Sequence, residues 1–148
     1  MKTLYDPSAV EELKQRIGLL KPDSKGLWGK MNAPQALAHC SAAMETAVGD
    51  LRPPRMLIGR VIGPLVKTKV LRNPLGRNAP TAKIFIVSDE RDLRQEGERL
   101  SQLVERFASG GKAGCTTHPH TFFGQMTPDE WGVLMYKHID HHLQQFGV

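Results

Sequence analysis

The first segment of the chain has apolar residues at helical spacing, bounded by residues that start and stop helices. Asp6-Pro7 precedes the segment and Lys21-Pro22 follows it, and its apolar positions are Val10, Leu13, Ile17 and Leu20. Steps of three and four residues return to the same side of an α-helix, so these side chains would face one core. A capping residue followed by proline begins a helix, and a later proline ends it. The pattern predicts an amphipathic helix between the two prolines.

Two later segments carry the same signals. Asn32 is predicted to cap a second helix, which has Pro34 just inside its start and runs to about Val48. Ser88 is predicted to cap another helix that extends to about Ala108. The inward side chains of that helix would be Leu93, Leu100, Leu103, Val104 and Phe107. Glycine residues follow both segments and indicate where the helices end.

The last helix has the clearest start. Thr127-Pro128-Asp129-Glu130 combines an N-cap, a proline in the first position and the reciprocal glutamate of a capping box. The helix should run to about Gln145. Its helical spacing places one stripe of residues toward the core, namely Trp131, Leu134, Met135, His138 and His142.

The middle of the chain is less regular. Met56–Leu71 is apolar enough for a third helix, although three of its residues weaken or kink a helix: Gly59, Gly63 and Pro64. Residues 73–80 have the prolines, glycine and asparagines of a long loop. Ile84-Phe85-Ile86-Val87 has the composition of a strand, but a single strand has no partner. We therefore expect extended chain packed on the helices.

These elements predict an all-α fold. The 148 residues fit a single domain over 1–148, and a domain of that length can bury a core. Four long helices form a bundle, with a long irregular connection between the second and the later core helices.

The composition is that of an ordinary globular protein, at 40% apolar and 24% charged residues. No N-terminal stretch has the pattern of a secretory signal, and charged residues interrupt the most apolar region, so no membrane partner is expected. Cys40 and Cys115 are too few for a disulfide framework. A reduced, cytoplasmic protein is the expectation.

The net charge of +5 has an uneven distribution. Between Leu51 and Ser88 there are eight basic residues and no acidic one, whereas the rest of the chain has twelve basic and fifteen acidic residues. Such a segment can attract an anionic partner, although a solvated loop is the plainer interpretation. Nucleic acid is not expected, because no recognition motif and few aromatic residues are present there.

Histidines on two predicted helices are candidate metal ligands. His138 and His142 are one helical turn apart, which allows both rings to reach one ion. His141 is three residues after His138, so the spacing permits it as the alternative partner. His39 on the second helix has small neighbours that leave room beside its ring: Ala36, Ala42 and Ala43. Bundles build metal sites from facing helices in this way.

Several motifs lie in register along nearly the whole chain. They are Trp28-Gly29-Lys30-Met31 with His39 after it, His118-Pro119, Phe122-Phe123-Gly124, Thr127-Pro128-Asp129-Glu130-Trp131, and His138-Ile139-Asp140-His141-His142-Leu143-Gln144-Gln145-Phe146. On these motifs the chain resembles the DinB/YfiT-like superfamily of metal-dependent proteins, and more closely a branch of it that ends in the last motif. The resemblance implies a DinB-like four-helix bundle. It also implies His39, His138 and His142 as the metal ligands, and it allows a homodimer.

Three imidazole ligands suit zinc, nickel or iron and leave coordination positions open, as in catalytic sites. Glu45 and Asp140 point away from the predicted ligands along their helices, so no general base is evident. Some DinB-like relatives are thiol S-transferases. We therefore expect a metal-dependent enzyme of the S-transferase or hydrolase type, with Lewis-acid or thiolate activation favoured. Its substrate would be a small molecule, a thiol or an anion.

The alternative hypothesis is a non-catalytic, stress-associated bundle that binds a metal or a ligand, with the basic segment meeting an anionic partner. Further candidates for a fourth ligand or for the pocket lining are His141, His118, His120, Trp28 and Trp131. A turn-stabilising role is the plainer interpretation of His118 and His120, and core packing that of the two tryptophans.

Overall fold

The computed structural model describes residues 1–148 and contains five α-helices and no strand. The helices are α1 (Pro7–Leu19), α2 (Ala33–Ala47), α3 (Leu57–Arg72), α4 (Leu93–Gly110) and α5 (Pro128–Gln145), with short 3₁₀ turns at Lys83–Phe85 and Lys112–Gly114. The predicted all-α helical bundle is confirmed. No helix combines the length with the apolar character that crossing a lipid bilayer requires.

Helices α1, α2, α4 and α5 enclose the core of the bundle. Each contributes buried apolar side chains to one continuous cluster, including Leu13 and Ile17 from α1, Met44 from α2, Leu100 and Val104 from α4, and Trp131 and Ile139 from α5. These are stripes at steps of three, four and seven residues, as the sequence pattern predicts. Both cysteines are free and buried.

The helix starts follow the local sequence closely, with one exception. Asn32 and Thr127 each accept a hydrogen bond from the third helical residue and form complete capping boxes. Asp6 occupies the cap position of α1, but its side chain makes no capping bond. Capping by Ser88 is wrong, because α4 begins only at Leu93 and Asp92 is its cap.

The late start of α4 has a physical cause in the preceding residues. The side-chain amide of Gln35 donates to the carbonyl oxygen of Asp89 at 3.0 Å, and this bond ties the segment to the start of α2. Arg91 pairs with Asp89 and with Glu96 at 2.9 and 3.1 Å. Asp92 is as good a cap as serine, and its carboxylate accepts from Gln95 N at 2.8 Å.

The predicted third helix forms, and it lies against the bundle through glycines. A Cβ at position 59 would lie 2.6 Å from the carbonyl oxygen of Phe122, and one at position 63 would overlap the same oxygen. Gly59 and Gly63 are the only fully buried residues of α3. Most of its large apolar side chains toward the N-terminal end face outward, with Leu57, Val61 and Leu65 exposed by 78, 75 and 79%, whereas Val70 and Leu71 at its end pack partly against the core. Pro64 is accommodated within the helix.

The connection between α3 and α4 reaches the core at one point. Residues Lys83–Phe85 form a 3₁₀ turn rather than extended chain, and the Phe85 side chain is buried, whereas Ile84 and Ile86 are more than half exposed. The predicted packing of residues 84–87 on the bundle is therefore limited to Phe85. That contact places a backbone carbonyl beside α2.

Candidate metal centre

His39 is the buried member of a histidine cluster between α2 and α5. The Nδ1–H of its ring donates to the carbonyl oxygen of Phe85 at 2.8 Å. A carbonyl can only accept, so this bond places the proton on Nδ1 and leaves the lone pair on Nε2. The 3₁₀ turn at Lys83–Phe85 thus fixes both the orientation and the tautomer of the ring.

His138 and His142 present their rings to His39 from α5. The ring centroids of the three histidines are 4.8 to 4.9 Å apart, and Nε2 of His39 is 2.9 Å from Nε2 of His138. One nitrogen from each ring can be chosen so that all three lie within 4.8 Å of one another. The one-turn spacing on α5 and the facing position on α2 together produce this convergence.

Gln145 orients the third ring of the cluster. The Nδ1–H of His142 donates to Oε1 of Gln145 at 2.8 Å, and the amide of Gln145 donates to the carbonyl oxygen of Trp28 at 2.7 Å. Gln145 is only 2% exposed. The two bonds fix the amide orientation and leave Nε2 of His142 as the free nitrogen. His39 and His142 therefore both have the outer hydrogen bond that is usual for metal-bound histidine.

Burial favours the neutral form of all three imidazoles. Burial lowers the pKa of His39, opposed by its bond to Phe85. Burial lowers the pKa of His138 far more, with the neighbouring histidines adding to the effect, His142 first. Burial, and then the charge of His39, lowers the pKa of His142 to about 4. Neutral rings keep their lone pairs, which a metal ion requires of its ligands.

The donor set fits a divalent transition metal. Nε2 of His39 is an acceptor, and it faces another ring nitrogen in a buried site. His138 leaves Nδ1 buried without a partner, so either of its neutral tautomers has an unsatisfied nitrogen. An ion among the three rings would use the converging lone pairs, and imidazole suits zinc, nickel and iron.

No carboxylate is part of the cluster, and the two considered from the sequence are paired elsewhere. Glu45 forms an ion pair with Arg99, and Asp140 forms one with Arg16. The cluster of three histidines contains no acidic residue. The chemistry of the site must therefore come from imidazole donors and from whatever they bind.

The remaining candidate histidines have different surroundings. His141 lies outside the three-histidine group, with its ring centroid 5.4 Å from that of Trp28. Burial lowers the pKa of His141, the charge of Asp140 opposes this shift, and the charge of Arg77 adds to it. Nε2 of His118 is 3.0 Å from the carbonyl oxygen of Pro53, so this ring joins two loops.

His120 organises the turn before α5. Its Nδ1 accepts hydrogen bonds from the backbone N–H groups of Phe122 and Phe123, each at 3.1 Å. Its ring centroid is 5.3 Å from that of Trp131, a core residue that is 1% exposed. Burial, and then the positive charge of Arg55, lowers the pKa of His120 to about 4.

Three contributors to the site were missed from the sequence. Gln145 had a detectable signal, because it lies three residues after His142 on the same helix face. The Phe85 carbonyl had none, since any residue in an irregular connection offers one. Arg77, whose guanidinium carbon is 4.3 Å from the centroid of the Trp28 ring, also lies on that connection.

The fold and the site define an all-helical bundle protein with a histidine cluster that could hold a metal ion between its second and last helices. The chain belongs to the family described as Protein of unknown function (DUF1569), whose model matches residues 6–147. The matched range contains all five helices and every residue of the cluster. Searches of curated proteins and of solved structures found no match.

Proposed function

We propose that the protein is a metal-dependent enzyme that binds one divalent ion, zinc, nickel or iron, through His39, His138 and His142. The observation that carries the proposal is the convergence of three neutral imidazoles within 4.8 Å, two of them oriented by outer hydrogen bonds. The two outer bonds aim lone pairs at one point, which is the usual arrangement of metal-bound histidine. The helical bundle and the register of its motifs also support a DinB/YfiT-like ancestry.

Three protein ligands leave positions open for a substrate, as in catalytic rather than structural sites. A bound ion there would supply Lewis acidity, which polarises a substrate oxygen or stabilises a thiolate. The protein residues would hold that ion and orient its ligands. Because Glu45 and Asp140 are engaged in ion pairs, the site lacks a base for acid–base hydrolysis. We therefore favour S-transfer with a small thiol over hydrolysis.

Elemental analysis of the purified protein tests the metal assignment. We expect about one equivalent of transition metal in the unmodified protein, and loss of most of it in His39→Ala and in His142→Ala. His118→Ala is the matched control, because His118 contacts the Pro53 carbonyl and is outside the cluster. Full metal occupancy in both ligand variants would refute the assignment.

The enzymatic part of the proposal needs a separate measurement. Metal-loaded protein is incubated with small thiols and an electrophilic acceptor, and loss of free thiol is followed beside the His142→Ala variant. Metal-dependent consumption that His142→Ala lacks would support S-transfer. Stoichiometric metal without any turnover across thiols and esters would favour the non-catalytic alternative.

A further inference from the structure

Arg77 is an exposed cation close to the histidine cluster, and it has no acidic partner. It belongs to the segment without acidic residues, and none of the ion pairs in the structure includes it. Its guanidinium carbon lies 4.3 Å from the centroid of the Trp28 ring. A guanidinium over an aromatic ring is attracted to the ring face, and the Arg77 side chain makes no hydrogen bond in the structure, so its N–H groups are free to bind a carboxylate or phosphate.

A chain of contacts links this cation to the histidine cluster. Gln145 binds both Nδ1 of His142 and the carbonyl oxygen of Trp28, at 2.8 and 2.7 Å. The Trp28 ring contacts both Arg77 and His141. The ring centroids of His141 and His142 are 5.3 Å apart. The side chain that orients a ligand therefore also anchors the residue on which Arg77 stacks.

Other cations of the same segment are placed differently. Arg55 donates to the carbonyl oxygen of Gly59, Arg52 to that of Gly49, and Lys67 pairs with Glu130 at 2.9 Å. Arg60 lies on α3 and has no contact with the cluster. Arg77 alone combines an unpaired charge with a ring contact that leads to a metal ligand.

We propose that Arg77, stacked on Trp28 beside His141, is a subsite for the anionic group of the substrate. The substrate class is a small molecule with two functions: an atom that coordinates the metal, such as a thiol sulfur, and a carboxylate or phosphate that Arg77 binds. This inference rests on the proposed metal-dependent function and extends it to substrate selection.

Cobalt(II) substitution allows a direct test, because thiolate coordination to cobalt gives a charge-transfer absorption. The cobalt protein is titrated with 3-mercaptopropionate, with 2-mercaptoethylphosphonate and with uncharged 2-mercaptoethanol. We expect Arg77→Ala to weaken binding of the charged thiols about fivefold, the effect of an ion pair worth up to about 1 kcal/mol at an exposed position. Binding of 2-mercaptoethanol should be unchanged. The charged thiol with the larger loss identifies carboxylate or phosphate as the preferred group.

Arg60→Ala is the matched control, because it removes one positive charge from the same segment and leaves Trp28 untouched. Equal affinities in Arg77→Ala and the unmodified protein would overturn the subsite. So would equal losses for charged and uncharged thiols, or the same loss in Arg60→Ala, which would indicate a general charge effect. Failure of the unmodified protein to take up cobalt would instead overturn the proposed function, and this inference with it.

Discussion

Gln145 allows the outer hydrogen bonds of the candidate metal centre to be tested. Gln145→Leu removes the acceptor for His142 Nδ1 at 2.8 Å and the donor to Trp28 O at 2.7 Å. Leucine has a similar size and is apolar, which suits a position that is 2% exposed. Loss of an outer-shell partner typically weakens metal binding 10- to 100-fold, which corresponds to roughly 1.4 to 2.7 kcal/mol. Loss of the bond to the half-buried Trp28 carbonyl adds a cost of about 0.5–1.5 kcal/mol to folding stability.

Metal affinity is measured by competition with a chromogenic chelator, and folding stability by thermal unfolding of the metal-free protein. Gln144→Leu is the matched control, because the side chain of Gln144 is exposed and donates a hydrogen bond only to the Asp140 carboxylate. Gln145→Glu separates the two effects, since a carboxylate still accepts from His142 but cannot donate to Trp28. It should keep metal affinity while losing stability. A Gln145→Leu variant that binds metal within twofold of the unmodified protein would show the orienting role to be wrong.

Two further predictions concern the scaffold around the site. Gly63→Ala should destabilise the protein by about 1–3 kcal/mol in a urea titration, because the new methyl group overlaps the Phe122 carbonyl. Gly18→Ala is the control: it has open space around it and should be neutral or stabilising by up to about 1 kcal/mol. His120→Asn should flatten the loss of stability with falling pH, because the asparagine oxygen still accepts the two backbone bonds and does not titrate in this range.

The sign of the pH effect follows from the depressed pKa of folded His120. Above about pH 6.5 the side chain is neutral in the folded and the unfolded chain, so its full contribution is present. Between that pH and the folded pKa of about 4, the unfolded chain binds a proton that the folded chain does not. Stability therefore falls as the pH falls, by at most roughly 3 kcal/mol. Unfolding profiles of the variant and the unmodified protein that run parallel from pH 8 to pH 4 would contradict this account.

The helices and the convergence of His138 with His39 could be predicted largely because the helix signals are local. Capping boxes at Asn32 and Thr127 mark helix starts within a few residues of sequence. One-turn spacing put His138 and His142 on the same face, and it left His141 open until the family register favoured His142. The structure groups His142, not His141, with the other two rings.

The irregular connection could not be predicted, because tertiary contacts determine it. Ser88 and Asp92 are equally suitable caps in isolation, and the bond from Gln35 to the Asp89 backbone accompanies the later start. The acceptor for His39 is a backbone carbonyl, so its residue type carries no information. The contact of Arg77 with Trp28 depends on where the irregular connection lies in the fold, so the sequence does not predict it.

The glycine contact of α3 bears on local unfolding. Because α3 buries little apolar surface against the bundle, we expect it to open at a lower free energy than α2 or α4, and its amide hydrogens to exchange with solvent first. His39 lies on α2, and His138 and His142 lie on α5, so we expect the histidine cluster to keep its place when α3 detaches. The protein would thus have a stable unit that contains its histidine cluster and a second, weakly held unit whose order can change without disrupting that cluster.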